Sequence, residues 1–441
     1  MQVSGRPIGL WSAVALGVGA MVGAGIFALL GDAGRIAGSA VYLSFIAGGG
    51  IALLSGYSLA RLGARFPSAG GLVEYLVQGY GQGVFSGAMS VSLYLAAVVS
   101  VALVARTFGS YAATFFPAAF RPLLVPLLSA AIVLLFMWIN LGGPRHMARV
   151  ENLAVAVKVT VLAVFALAGL WVMDPARLAP RHYPGALTVF SSLAVTFFAY
   201  EGFRVVTNTA EDLAQPRRNL WRAMWISITL VMGLYVAVAL AVYGNLPPER
   251  VVAARDYALA EAALPVFGEA GFRLVALAAL LSTASGINAA LYAVTNVTYQ
   301  MAKDGGLPAA FMRPIGHSRE GLVVSSAMVV VLSVFLSLGQ IAAVGSLAVL
   351  ILHGVVHLGH LRLRRETGAR TGLLVAAALA TLGTVALALA FEIRRDPRAV
   401  WLLAGLFGLG LTLELLLRRT TGRRVRSRLP RPMQWRRPGG A

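Results

Sequence analysis

The chain of 441 residues is 58% hydrophobic and 12% charged, with a mean hydropathy of +0.78, whereas a soluble chain carries roughly a quarter charged residues. No water-soluble fold buries that much apolar surface, so composition excludes soluble enzymes and soluble binding modules. The net charge of +20 would suit a nucleic-acid binder, but the Arg residues stand in short clusters between apolar stretches, where they report membrane topology instead.

A helix needs about 20 mostly apolar residues to cross the hydrocarbon, and that window predicts about twelve spans. They lie near residues 8–32, 38–60, 83–106, 122–142, 150–173, 186–211, 219–243, 270–302, 321–337, 339–360, 371–392 and 398–418. The first span begins at Ile8 behind Arg6. No small-residue cleavage motif followed by a soluble segment comes after it, so it reads as a first transmembrane helix and not as a signal peptide. Between the ninth and tenth spans only Leu338-Gly339-Gln340 offers a break, whereas charges from Glu392 to Arg398 clearly part the last two. The expectation is an all-α integral membrane protein with one membrane domain over residues 1–418, followed by a basic tail at 419–441. An even number of spans puts both ends on one side. Most of the 37 basic residues fall on that side, which the positive-inside rule makes cytoplasmic. The tail is expected to meet anionic lipid. The preference for Arg and Ala over Lys suggests a GC-rich genome and a prokaryotic inner membrane. There is no Cys, so disulfides and thiolate metal sites are excluded; neither a cofactor nor a metal is expected.

Two spans are poorly made as continuous helices. The first carries Gly19-Ala20-Met21-Val22-Gly23-Ala24-Gly25-Ile26-Phe27 and the sixth Phe197-Phe198-Ala199-Tyr200-Glu201-Gly202-Phe203-Arg204. Glycine costs a helix about 1 kcal/mol relative to alanine, and Glu at the bilayer centre costs at least a few kcal/mol unless it faces a polar cavity. Interruptions at corresponding positions in two halves mark an inverted repeat with a binding site between them. The expected halves are residues 8–173 and 186–360, with further helices at 371–418; no residue-by-residue identity supports the repeat beyond the breaks. Unwinding at Gly23-Ala24-Gly25 would expose the N-terminus of a half-helix near Ile26, suited to a carboxylate. Carbonyls near Met21, Phe198 and Glu201 would suit an ammonium group, so the pair is shaped for an α-amino acid zwitterion. The competing reading is that Gly19 and Gly23 form a G-x-x-x-G packing face.

Here a family resemblance enters. Residues 19–27, Phe66-Pro67-Ser68-Ala69-Gly70-Gly71 and Phe197-Phe198-Ala199-Tyr200-Glu201-Gly202-Phe203 resemble signatures of amino acid permeases of the amino acid/polyamine/organocation superfamily. Asn208-Thr209-Ala210-Glu211-Asp212, then Pro216-Arg217-Arg218-Asn219-Leu220, and Ala302-Lys303-Asp304-Gly305-Gly306-Leu307-Pro308 continue the resemblance, which weakens after residue 340. It implies a LeuT-like fold of two inverted five-helix repeats plus two helices, and transport of amino acids by alternating access. It also implies that Gly23, Ala24 and Gly25, with Ile26, meet the substrate carboxylate. Met21, Phe198, Ala199, Glu201 and Gly202 would border its amine, and Phe203 would gate the site. Two positions depart from the family. Ala24 replaces a common hydroxyl residue, leaving carboxylate recognition to backbone donors, and Arg204 replaces a common acid, so Glu201 and Arg204 are expected to pair.

Only two of the basic residues are lysines, and Lys158 sits within the fifth span. Arg stays protonated, whereas a desolvated Lys can release its proton. The family places a cation between the first and eighth helices, beside the fifth. By resemblance to sodium-independent, proton-coupled members, the Lys158 ammonium would stand there beside the Gly19 carbonyl and the hydroxyls of Ser282, Thr283 or Ser285. The alternative is a Lys that snorkels to the interface.

Other candidates carry less. His353, His357 and His360 have metal-ligand spacing on one helix face, but no acid stands beside them, and a cytoplasmic helix end, where positive charge is welcome, accounts for them. Glu74 and Tyr75 belong to either an inner gate or a polar loop, and Glu211 and Asp212 to either a gate network or a solvated loop. The stretch 247–271 is expected to form short amphipathic helices over an outer vestibule. No nucleophile elbow, P-loop or H-E-x-x-H is present, so neither hydrolysis nor ATP-driven pumping has a site. The expected function is a secondary importer of amino acids coupled to protons and independent of sodium. The alternative is an amino acid or amine exchanger of the same fold.

Overall fold

The computed structural model describes residues 8–68, 70–142, 147–303 and 307–421; the side chains of Ala24, of residues 147–153 and of Thr421 lie outside the description. The basic tail beyond 421 and the centre of the 302–308 motif also lie outside the described residues.

The chain opens with α1 (Leu10–Ala37) and α2 (Val41–Arg65), a short α3 (Leu72–Tyr80), then α4 (Val84–Ala112), α5 (Arg121–Gly142) and α6 (Met147–Val172). The sixth span is made of pieces: α7 (Ala186–Ser191), α8 (Leu193–Ala199) and a 3-10 helix over Glu201–Thr209. There follow α9 (Pro216–Asn245), a short α10 (Pro248–Ala253), α11 (Ala258–Lys303), α12 (Glu320–Phe335), α13 (Leu338–Thr367), α14 (Thr371–Arg395) and α15 (Pro397–Thr421). The described strands are Pro314–Ile315 and Ser318–Arg319, which form a single hairpin.

Ten helical runs are long and apolar enough to span a membrane, and one of them, Gly25–Arg65, holds the end of α1 and all of α2. With the shorter apolar helices Leu10–Gly23 and Glu320–Phe335, the described residues supply the twelve spans that the sequence predicts. The molecule is an all-α, multi-pass membrane protein.

Local chemistry sets the ends. Pro216, Pro248 and Pro397 open α9, α10 and α15, where a missing N–H costs nothing. Gly368 closes α13 at φ 63°, a left-handed backbone that glycine adopts freely. The ninth and tenth spans divide slightly earlier than expected. Ser337 accepts from Gln340 N while the Gln340 side chain returns to Ser337 N, a capping box that makes residues 338–340 the first turn of α13. Residues 247–271 hold α10, a 3-10 turn and the first turns of α11, which kinks at Gly268.

The first span differs from expectation. α1 is helical over its whole length, so the interruption predicted at residues 23–25 does not appear as a break. The sixth is interrupted as predicted. Its 3-10 segment runs nine residues, against a usual limit of about three or four. Hydroxyls hold the pieces to α2: Ser192 Oγ donates to Ser44 Oγ at 2.7 Å, Thr196 Oγ1 to Ser44 O at 2.9 Å, and Tyr200 Oη to Phe45 O at 2.9 Å.

Candidate functional site

Where α1 crosses the interrupted sixth span, the two backbones touch. A Cβ added at Gly25 would collide with the Ala199 carbonyl, and one at Gly202 with the backbone of Ala20 and Met21. Lipid gives apolar helices no hydrophobic reason to associate, so close packing of small residues holds such crossings together. Gly19 and Gly23 face α6: a Cβ at Gly19 would lie 2.8 Å from Val155, and one at Gly23 only 3.9 Å from Lys158 Nζ. The glycine pattern therefore serves packing on two sides of α1.

Four α1 carbonyls at this crossing accept from side chains of other helices. Lys158 Nζ donates to Gly19 O at 2.8 Å. The Tyr235 hydroxyl donates to Met21 O at 2.6 Å and lies 3.3 Å from Ala199 O. Ser282 Oγ lies 3.1 Å from Val22 O and 2.5 Å from Gly23 O. A carbonyl has two lone pairs, so these donors can be met while the helix keeps its own bonds. That is the physical reason α1 stays helical where unwinding was expected. Met21 O, expected to meet a substrate amine, is held by Tyr235, a residue of α9.

Lys158 is 2% exposed and stands eleven residues into α6, about 17 Å along its axis. It turns inward to Gly19 and does not snorkel to the interface. Of the three α11 hydroxyls expected beside it, Ser282 alone is seen to bond α1. Thr283 bonds Ala279 O of its own helix at 2.7 Å, and Ser285 is half-buried.

Beyond the break, Glu201 is 7% exposed. Arg204 Nε stands 2.6 Å from its Oε1, and His353 Nε2 of α13 stands 3.1 Å from its Oε2. Phe203 is fully buried, edge-on to Phe197 at 6.3 Å and to His353 at 5.7 Å. Phe198 lies against Gly345 of α13, beside Val99 of α4, and Ile26 is fully buried. Ala24 belongs to α1, but its side chain lies outside the described residues. The crossing thus gathers Met21, Gly23, Gly25, Ala199, Gly202, Lys158, Gly19 and Ser282, with Glu201 and Phe203 one turn on.

Sequence reasoning missed Tyr235, and it named His353 but set it aside without placing it beside Glu201. Tyr235 is one apolar-face aromatic among many, and nothing in its neighbours signals two carbonyl partners. The three histidines do not sit at a solvated helix end: all are 1% exposed or less, which corrects the helix-end reading. Glu74 and Tyr75 are buried in α3, with Gln78 Nε2 donating to Glu74 Oε1 at 2.7 Å, while Glu211 and Asp212 are exposed. A cavity of about 540 Å³ lies elsewhere, lined by Tyr57, Arg61, Trp221, Trp225 and Arg370 among others.

Apolar spans that enclose a crossing of polar backbone, buried charge and glycine contact define a membrane transport protein. Residues 8–403 match the family described as amino acid permease, and the chain belongs to this family, within the amino acid/polyamine/organocation superfamily. It is 33% identical to the inner membrane transport protein YbaT of Escherichia coli over 94% of this chain and 97% of that protein. An uncharacterized protein of Methanocaldococcus jannaschii is 34% identical over 96% of this chain and 98% of its own length. The chloroplastic cationic amino acid transporter 9 of Arabidopsis thaliana is 30% identical over 70% of this chain and 57% of its own. The protein is therefore a permease and not an enzyme.

Proposed function

We propose that the permease imports amino acids by alternating access, driven by protons and independent of sodium. The observation that carries this reading is the buried Lys158 ammonium on the Gly19 carbonyl, beside the glycines that let α1 and the sixth span touch. A positive charge at this depth is costly, whether it belongs to a bound cation or to a lysine. Lys158 supplies that charge from the protein itself, and unlike Arg it can give up its proton. When it does, the remaining amine N–H can still reach Gly19 O, but the bond is no longer charge-assisted, and the hold between α6 and α1 weakens. Proton release thereby loosens the contact that a carrier must remake in each cycle.

In the same reading, the substrate ammonium competes with Tyr235 for the carbonyls of Met21 and Ala199. Its carboxylate addresses the backbone N–H groups of Gly23, Ala24 and Gly25 in a state of the cycle where α1, continuous in this structure, opens at these residues, with Phe198, Glu201 and Gly202 bordering the ammonium and Phe203 gating the site. Residues 8–173 and 186–360 act as inverted repeats, and 371–418 as two added helices, within one membrane domain. Both termini face the cytoplasm of a cell whose inner membrane holds the protein, and the basic tail meets anionic lipid. Relatives named as amino acid transporters support the substrate class.

Uptake of a panel of labelled amino acids into proteoliposomes tests the proposal, with and without an inward proton gradient and with sodium removed. Gradient-stimulated uptake without sodium is expected, and Lys158→Ala should abolish its pH dependence. Normal Lys158→Ala uptake with an unchanged pH optimum would sink the proton role. Counterflow that needs no gradient would make the protein an exchanger.

A further inference from the structure

The transport reading leaves three buried histidines unused. His353 lies at the middle of α13, and His360 and Thr367 follow toward its basic end. His357 Nε2 is 3.0 Å from Ser55 Oγ, and its Nδ1 is 3.0 Å from Ser58 Oγ. Ser58 Oγ is in turn 2.8 Å from His360 Nδ1, and His360 Nε2 is 2.9 Å from Thr367 Oγ1. His353 Nε2 faces Glu201 Oε2 at 3.1 Å. These links form a line of exchangeable hydrogens about 21 Å long, from the interrupted span to the end of α13. Both joints at His353 stay open: its Nε2 approaches Glu201 without hydrogen-bond geometry. The rings of His353 and His357 are 5.9 Å apart, and among the described residues His353 makes no hydrogen bond in ideal geometry. An imidazole buried without a hydrogen-bond partner calls for a reason.

We propose that His353, His357 and His360, with Ser58 and Thr367, form a gated proton path between Glu201 and the basic end of α13. When the site opens to water and Arg204 moves off Glu201 Oε1, the Glu201 carboxylate takes a proton from that water, passes it to His353 Nε2 and is again a carboxylate. Rotation of the His353 ring carries it across the open joint to His357. That ring takes the proton on one nitrogen and gives up another from the far side through Ser58 to His360, which passes one on through Thr367 to water. Each imidazole ends neutral, so no lasting charge enters the bilayer. A seamless wire would dissipate the gradient, and the open joints at His353 prevent this. Phe197 and Phe203 stand edge-on to that ring at 5.4 and 5.7 Å, so movement of Phe203 in the transport cycle sets when it turns.

The charged surroundings fit an exit at this end. Arg61 of α2 bears electrostatically on His360, Arg65 pairs with Glu366 at 3.9 Å, and Arg362 lies over the Tyr80 ring. From α2, Tyr57 is bonded to Arg370 N. α3 adds the buried Glu74 and Tyr75, and Arg204 holds the other oxygen of Glu201. α8 brings no titratable group. Tyr94 of α4 turns to Ser325, Arg106 of α4 to Ser333 of α12, and Glu414 of α15 to Arg418. Asp32 of α1 and Glu392 of α14 stand at the opposite end, near Arg35.

This inference rests on the proton-coupled reading above, and the test separates the two. Proteoliposomes loaded with a pH-sensitive dye report proton entry driven by substrate, while counterflow reports substrate exchange alone. His357→Gln keeps hydrogen-bonding capacity but cannot relay a proton. It should lower substrate-driven proton entry by at least about tenfold and flatten the pH profile of uptake, with counterflow unchanged. His360→Gln reads the same path should the first variant fail to fold. A slowing of proton entry in deuterated water, measured on the native protein, is a third reading that needs no variant. Proton entry and pH profile unchanged in both variants, or no isotope effect, would overturn the path while leaving the coupling intact. Native protein whose uptake ignores protons would overturn the coupling itself.

Discussion

Two polar regions lie side by side in this apolar protein, and they are built by opposite means. At the crossing of α1 with the sixth span, the polar groups are backbone carbonyls, and glycines make them reachable by removing side chains. Along α13, the polar groups are side chains, supplied with partners by serines of α2. A backbone site fails when something is added to it. A side-chain site fails when something is taken away.

Gly202→Ala probes the first half of that contrast and carries the largest expected effect. The added methyl meets the Ala20 and Met21 backbone, which cannot rotate aside as a side chain would, so a loss of about 1–3 kcal/mol is expected. A lower thermal midpoint of the purified protein together with lost uptake would show it. Ser58→Ala probes the second half. It removes the hydroxyl shared by His357 and His360, and unmet buried polar groups cost about 1–3 kcal/mol. The pH profile of uptake should flatten while counterflow persists; a profile like the native one would erase the distinction between the regions. Tyr235→Phe carries the smallest effect. Met21 and Ala199 keep their place in the backbone and lose one outside donor, worth about 1 kcal/mol, so the protein should fold and still transport. Were this variant as damaging as Gly202→Ala, the crossing would depend on side chains after all.

The same contrast explains what the sequence made legible. Glycines, a buried acid and a lone lysine are anomalies in an apolar run, so the spans, the break at Glu201 and the interest of Lys158 could all be read from one dimension. Tyr235 and Ser58 are ordinary residues in ordinary helices. Their importance lies in partners far along the chain: Tyr235 is 214 residues from Met21, and Ser58 is 299 from His357. The unbroken course of α1 escaped for the same reason, because the donors that satisfy its carbonyls come from α6, α9 and α11. Ser337 and Gln340 spell a capping box in sequence, which sets the start of α13 at Leu338 and not after Gln340.

At the foot of α1, Ile8 N donates to Asp212 O at 2.9 Å and Ala214 N donates to Ile8 O at 3.0 Å. This short parallel strap ties the start of the first span to the end of the sixth. Parting them would sacrifice two backbone hydrogen bonds, about 0.5–1.5 kcal/mol each, whereas swinging them together sacrifices none. The strap thus turns two helices distant in sequence into a single lever, and any mouth that opens on that side must open around it.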